Sequence, residues 1–232
     1  MRNVNANLQE IIAARIASVR FRIQAAAHRS DRDPTGIKLI AVSKNFDTAM
    51  VRAAYDCGLR DFGENRVQEA EDKYGKMGDL REDITLHMIG HLQTNKVHLA
   101  LKIFDMIHSI DSTKLAKEIN RMSIGKVPVF IEVNVAGEES KFGFRVGQIK
   151  EAIKSVDTLT NIEIKGLMTV APNVKDPEEV RPVFAQLKKI NDRFGFKELS
   201  MGMTDDFEVA IEEGATMIRM GRAIFGERRY IR

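Results

Sequence analysis

From residue 37 to residue 220 the chain alternates short apolar runs with segments of helical periodicity. Strand candidates fall at 37–43, 59–62, 85–89, 105–109, 128–134, 162–168, 197–200 and 217–220. Helical patterns lie at 47–57, 65–77, 92–103, 112–123, 146–157, 177–194 and 205–213, the first two opening near Asp47 and Asn65 as expected N-caps. The strand runs are nearly continuous in apolar character, as when helices cover one face of a parallel sheet and a closed interior fills the other. Eight such units in about 200 residues predict a small (β/α)8 TIM barrel. A doubly wound open sheet fits the same alternation. Against it, no G-x-G-x-x-G follows the first run and no G-x-x-x-x-G-K-[ST] occurs anywhere.

Residues 1–33 read as an additional helix packed on the barrel. Leu8, Ile12, Ile16, Val19, Ile23 and Ala27 recur at steps of three and four, and Asp33-Pro34-Thr35-Gly36 ends the pattern. Arg2, Arg15, Arg20, Arg22 and Arg29 against Glu10 superficially resemble a transit peptide, but no cleavage-like break interrupts the amphipathic stripe. With no low-complexity linker, one domain over 1–232 is the expectation. The single cysteine, Cys57, rules out an internal disulfide, and together with 11 Met and no Trp it points to a reducing, cytoplasmic setting. The longest apolar stretches, such as 127–135, are too short to span a bilayer. The net charge of +3, partly in the tail Arg228-Arg229-Tyr230-Ile231-Arg232, and an aromatic content of 6% do not suggest a nucleic-acid surface.

In a barrel, chemistry collects at the C-terminal strand ends. Those ends carry Lys44, Asn65, Gly90-His91, Ser109, Asn134, Met168-Thr169, Ser200 and Gly221. This is one amine among small and neutral polar groups, without a carboxylate pair for glycoside hydrolysis or a cluster with metal-ligand spacing. A strand-end lysine is ordinarily a solvated loop residue. Where it is partly desolvated, its neutral form is favoured and it can condense with an aldehyde. Ser200-Met201-Gly202-Met203-Thr204 and Gly221-Arg222-Ala223-Ile224-Phe225-Gly226 follow the last two strands, where barrels commonly hold phosphate on backbone N–H groups. The two features together describe a site that could grip a phosphorylated aldehyde at both ends. Arg219, inside the eighth strand, is either an outward residue snorkelling between helices or a donor to a ligand atom in the barrel mouth. His28, His87, His91, His98 and His108 contain no H-E-x-x-H and read as surface or packing residues.

Ala41-Val42-Ser43-Lys44, Phe62-Gly63-Glu64-Asn65-x-Val67-Gln68-Glu69, Ile89-Gly90-x-Leu92-Gln93-x-Asn95-Lys96, Glu139-Ser140-Lys141-x-Gly143, Gly166-Leu167-Met168, Leu199-Ser200-Met201-Gly202-Met203 and Ala223-Ile224-Phe225-Gly226 occur in one order along the chain. Taken together they resemble the pyridoxal phosphate homeostasis protein family, whose barrel is similar to the N-terminal domain of alanine racemase. The resemblance implies pyridoxal 5'-phosphate held as an internal aldimine on Lys44. It further implies that Ser200 and the Gly221-Arg222 backbone grip the phosphate, that Arg219 faces the pyridine nitrogen, and that Asn65 and Met201 line the ring with Asn134 and Met168 nearby. Thr204 stands where that pattern has serine, Arg222 where threonine is common, and Arg66 where tyrosine often follows Phe-Gly-Glu-Asn. Thr204 keeps the hydroxyl, whereas Arg222 keeps only its backbone N–H.

Related racemases add a second β domain that supplies an opposing acid/base, and the 11 residues from Arg222 to Arg232 are too few for one. Tyr55, Tyr74 and Tyr230 are not placed for a two-base mechanism. The expectation is therefore a monomeric protein that carries or buffers the cofactor for apo-enzymes that need it, with no catalytic residue. An amino-acid racemase and a cofactor-independent Schiff-base aldolase are the alternatives. Lys96 and Lys141 stand in the quoted motifs as secondary contacts or as solvated structural residues.

Overall fold

The computed structural model describes residues 2–227, with side chains from residue 7 onward; the basic tail 228–232, Tyr230 within it, and the side chain of Arg2 lie outside the described residues. Among the described residues nine parallel strands follow one another: β1 (Lys38–Val42), β2 (Asp61–Glu64), β3 (Thr85–Met88), β4 (Met106–Ile110), β5 (Val127–Asn134), β6 (Phe144–Arg145), β7 (Ile162–Met168), β8 (Glu198–Ser200) and β9 (Met217–Met220). Pairing runs β4-β3-β2-β1-β9-β8-β7-β5, and β4 also pairs β5, which closes an eight-stranded barrel. The two residues of β6 pair only with the end of β5 and lie outside that ring. The open doubly wound sheet is thereby excluded. A strand too short to show periodicity leaves no sequence signal, so β6 was not anticipated.

Side-chain alternation explains the nearly unbroken apolar runs. Ile40, Phe130, Met168 and Met217 meet one another in a cluster of their own within the barrel. Their strand neighbours Ala41, Ile131, Leu167 and Ile218 belong to the larger core shared with the helices.

That outer layer comprises α1 (Arg2–Arg29), α2 (Thr48–Asp56), α3 (Val67–Tyr74), α4 (Val97–Ile103), α5 (Thr113–Met122), α6 (Ile149–Asp157), α7 (Arg181–Arg193), α8 (Phe207–Glu212) and the single turn α9 (Arg222–Phe225). Three of the predicted helices begin as 3-10 turns, at 94–96, 146–148 and 177–180. Asp47 caps α2, its Oδ1 accepting from Met50 N at 3.0 Å. Asn65 does not cap α3: Arg66 occupies the cap position without a side-chain bond, and Asn65 Oδ1 is buried with no hydrogen-bond partner.

The stripe predicted on α1 is the face it buries, with Ile12, Ile16, Val19 and Ile23 all inside. Two of its arginines are docking contacts: Arg22 Nε donates to Glu208 at 2.6 Å, Arg29 grips Glu208 and Glu212 at 2.9 and 2.7 Å, and Arg22 also covers the Phe207 ring. No described helix is long and apolar enough to cross a membrane.

Candidate functional site

Lys44 lies two residues beyond β1, half-buried at the C-terminal mouth of the barrel. It shares the wall of a cavity of about 450 Å³ with Asn65, Arg219, Gly221 and Arg222, together with Met203, Thr204 and Asp205 from the loop after β8. Five of the seven residues expected at a site thus come together. Ser200 and Met201 do not line this cavity, and both are fully buried. The Ser200 side chain points into the barrel, where its Oγ accepts from Arg219 Nη1 at 2.7 Å. Ser200 therefore meets the cavity only through Arg219, and Thr204 is the hydroxyl of this loop in the wall. The Arg222 side chain is taken up by Asp205, which leaves its backbone for any anion contact. Asn134 and Met168 are not in the wall either: Asn134 Nδ2 donates to Glu138 O at 2.7 Å, and Met168 belongs to the barrel interior. Lys141 pairs with Glu138 at 2.6 Å and donates to the carbonyl of Val170, a wall residue.

A larger cavity of about 880 Å³ shares Asn65 and reaches Lys96, but it contains neither Lys44 nor Arg219. The smaller one is the better candidate, since chemistry requires the amine and the buried guanidinium to face the same space.

Two buried polar arrangements support the site. Beneath Lys44, on the helix side of β1, Lys73 Nζ donates to Ser43 O at 2.6 Å and to Glu64 Oε1 at 2.7 Å. Ser43 Oγ donates to the same Glu64 oxygen at 2.8 Å and, having spent its proton, accepts from Tyr74 OH at 2.8 Å. Asn45, in the left-handed region at φ 64°, donates its N–H to Glu69. The residues on either side of Lys44 are thus clamped by side chains from β2 and α3, so the lysine springs from a fixed backbone. Burial raises the pKa of Glu64 and of Tyr74 above their ordinary values, the nearby Lys73 partly offsetting this at Glu64.

The second arrangement surrounds Arg219, which is 4% exposed. Besides Ser200 it grips Thr169 O through Nη2 at 2.8 Å, and no carboxylate among the described residues is in ion-pair contact with it. Burial pulls its pKa down to about 10, against the more distant attraction of Asp206 and Glu132. Glu132 itself is pushed up to about 7 by burial and by Asp111.

A buried guanidinium with spare N–H groups and an orphaned amide oxygen on Asn65 both call for a partner that supplies an acceptor and a donor. A phosphorylated pyridine aldehyde with a ring nitrogen and a ring hydroxyl has both. Sequence reasoning missed the supporting residues Lys73 and Tyr74, and also the buried pair His87 and His108, whose facing ring nitrogens lie 2.9 Å apart with His108 Nδ1 2.8 Å from Ser200 Oγ. Period-two alternation along 85–88 and 106–110 could have placed the two histidines on the interior face; nothing local announces Lys73, which looks like an ordinary helix lysine.

Residues 15–229 match the family described as alanine racemase, N-terminal domain. A protein of Aquifex aeolicus named pyridoxal phosphate homeostasis protein is 43% identical over 225 residues, covering 93% of this chain and 98% of its own. The structure of PipY from Synechococcus elongatus, solved with pyridoxal phosphate bound, superposes with a TM-score of 0.81 at 36% identity, covering 93% of this chain and 100% of that one. Alanine racemase from Corynebacterium glutamicum shares the fold, with a TM-score of 0.72 at 16% identity, over 97% of this chain and 63% of the racemase.

Proposed function

Since this chain belongs to the pyridoxal phosphate homeostasis protein family, built on the alanine racemase N-terminal domain, we propose that it binds pyridoxal 5'-phosphate at Lys44 and holds it without turnover. The observation that carries this reading is the meeting, in one cavity, of a half-buried amine, a buried guanidinium without a carboxylate in contact, and the Gly221 turn. When bound, the cofactor supplies an aldehyde that condenses reversibly with a primary amine, here Lys44 Nζ.

Every other role falls to the chain's own groups. The Ser43 and Asn45 clamps aim Lys44 into the cavity. Arg219 donates to the ring nitrogen; a guanidinium does not give up its proton, so that nitrogen stays unprotonated and the ring is a weak electron sink. Asn65 offers its orphaned oxygen to the ring hydroxyl. Thr204 and the backbone at Gly221 and Arg222 take the phosphate. Among the described residues the wall has no tyrosine, histidine or cysteine to move a proton opposite Lys44, and its carboxylates Asp205 and Glu227 both face Arg222. That composition supports a tether rather than a racemase. Cofactor held this way remains available to apo-enzymes that require it.

The test is incubation with pyridoxal 5'-phosphate, visible spectroscopy, borohydride reduction and peptide mass mapping. A yellow protein whose reduced adduct sits on Lys44, and which is colourless as Lys44→Ala, is expected. No visible band, or an adduct confined to other lysines, overturns the assignment. Inversion of L-alanine or L-serine by the loaded protein, lost in Lys44→Ala, would make it a racemase instead.

A further inference from the structure

Asp61, His87, His108, Ser200 and Arg219 are joined through the barrel interior in a single file that starts at the opposite end from Lys44. Asp61, the first residue of β2, receives Lys38 Nζ at 3.2 Å and lies 2.9 Å from His87 Nε2. His87 Nδ1 is 2.9 Å from His108 Nε2, and His108 Nδ1 is 2.8 Å from Ser200 Oγ, which holds Arg219. His87, His108 and Ser200 are fully buried, while Asp61 keeps 20% of its side chain exposed. The file therefore crosses the barrel from a partly solvated carboxylate to the cavity where Arg219 lies.

Donor and acceptor chemistry gives this file a direction. Arg219 can only donate. Burial alone would raise the pKa of Asp61, but its bonds to His87 and the charge of Lys38 bring it below the usual value, so it stands ionised and can only accept. Burial, reinforced by His87, Arg219 and Lys38, keeps His108 neutral. Where both imidazoles are neutral, one arrangement satisfies every contact. Arg219 donates to Ser200, Ser200 to His108 Nδ1, His108 Nε2–H to His87 Nδ1, and His87 Nε2–H to Asp61. Reversing any bond leaves either two protons facing each other or a bare ring nitrogen against the carboxylate. Ser200 is thus held as an acceptor for Arg219 because its own proton is committed to His108. With Thr169 O on the other terminal nitrogen, the plane of the guanidinium is set.

We propose that Asp61, His87 and His108 are positioning residues: their one-way hydrogen-bonded file holds Arg219 as a fixed donor and so makes the cavity selective for ligands that present an acceptor nitrogen. This rests on the reading that the cavity takes pyridoxal 5'-phosphate. An isosteric ligand with carbon in place of the ring nitrogen leaves the fixed N–H unpaired, and a hydrogen bond to a charged group is worth about 1.5–3 kcal/mol, or roughly 10- to 150-fold in affinity.

Two measurements test the file and the ligand separately. Nitrogen NMR of the histidine rings in ligand-free protein at mildly alkaline pH should show His87 and His108 both protonated at Nε2 and bare at Nδ1. An Nδ1–H form of either ring, or an imidazolium, overturns the directional file whatever the cavity binds. Competition between pyridoxal 5'-phosphate and its carbocyclic analogue for borohydride-trapped Lys44 should favour the cofactor at least about tenfold in the wild type. In His108→Phe the adduct should still form, but the preference should shrink to within about threefold. An undiminished preference in folded His108→Phe refutes the proposal. Should that variant fail to fold, Asp61→Asn, remote from the cavity, takes its place: a reduced preference supports the file and an unchanged one refutes it. If neither compound is trapped on wild-type Lys44, the cofactor reading itself fails, while the NMR result still decides the file.

Discussion

Lys73 is 7% exposed and pairs with a fully buried Glu64 whose second oxygen already has no hydrogen-bond partner. Removing one member of such a pair leaves an uncompensated buried charge, at a cost of about 3–5 kcal/mol. Lys73→Met should lower the urea-unfolding free energy by that amount, and adding Glu64→Gln should restore most of it. If the single and double variants are equally destabilised, the clamp under Lys44 is not the ion pair described. Glu132 makes a pH-dependent prediction. Its folded pKa of about 7 exceeds the ordinary 4.5, so its contribution is fully present below about pH 4.5 and is lost as pH rises through 7, a difference of about 3 kcal/mol. Glu132→Gln removes that penalty. Relative to wild type it should be stabilised near pH 8 and unchanged near pH 4, read from urea midpoints at the two values. At this scale the sequence showed Lys44 and Arg219 by their places at and within strands, but not Lys73 or His108, whose partners come from other elements.

Among elements, β7 and β8 meet with no room to spare. Gly166 pairs with Glu198, and a Cβ there would stand 1.8 Å from the Glu198 carbonyl oxygen and 3.2 Å from the Phe130 ring. Gly166→Ala must therefore move the backbone of a barrel strand. A loss above about 4 kcal/mol is expected, whereas Gly125→Ala, where a Cβ meets nothing within 4 Å, should fall within about 0.5 kcal/mol of wild type in thermal melts. The long periodic elements were legible because burial on one face repeats along the chain. The exceptions have local causes. β6 and α9 span two and four residues, about one period of a strand or a helix and so too short for a pattern to repeat, and were not read. Asn65 has the residue type of a cap, but it follows Asp61 and Gly63 at strand spacing and turns toward the cavity rather than to the start of α3.

At the scale of the whole molecule, α1 lies against α2, α8 and α9, so the helix outside the barrel alternation packs beside the turn that borders the cavity. We propose that helix and barrel unfold as one unit. Ile16→Ala, deleting a side chain 2% exposed, should cost about 2–5 kcal/mol and shift far-UV circular dichroism and near-UV tyrosine signals together. Separate transitions for the two signals would divide helix from barrel. The exposed arginine clamps onto Glu208 and Glu212 should contribute less than about 1 kcal/mol each and weaken in salt.

The chain's own pattern determined the eight-stranded barrel, the added helix, and the placing of an amine and two glycine loops at the strand ends. These follow from periodicity and from residue types that act within a few positions of themselves. Which groups face one another was decided only by closure of the barrel. It brings His108 within 2.8 Å of Ser200, 92 residues away, and Lys73 within 2.6 Å of Ser43, 30 residues away. Closure also turned Ser200 from an expected ligand contact into the support of Arg219. A buried hydrogen bond depends on distances between strands that share no local sequence, so no run of neighbouring residues could announce it.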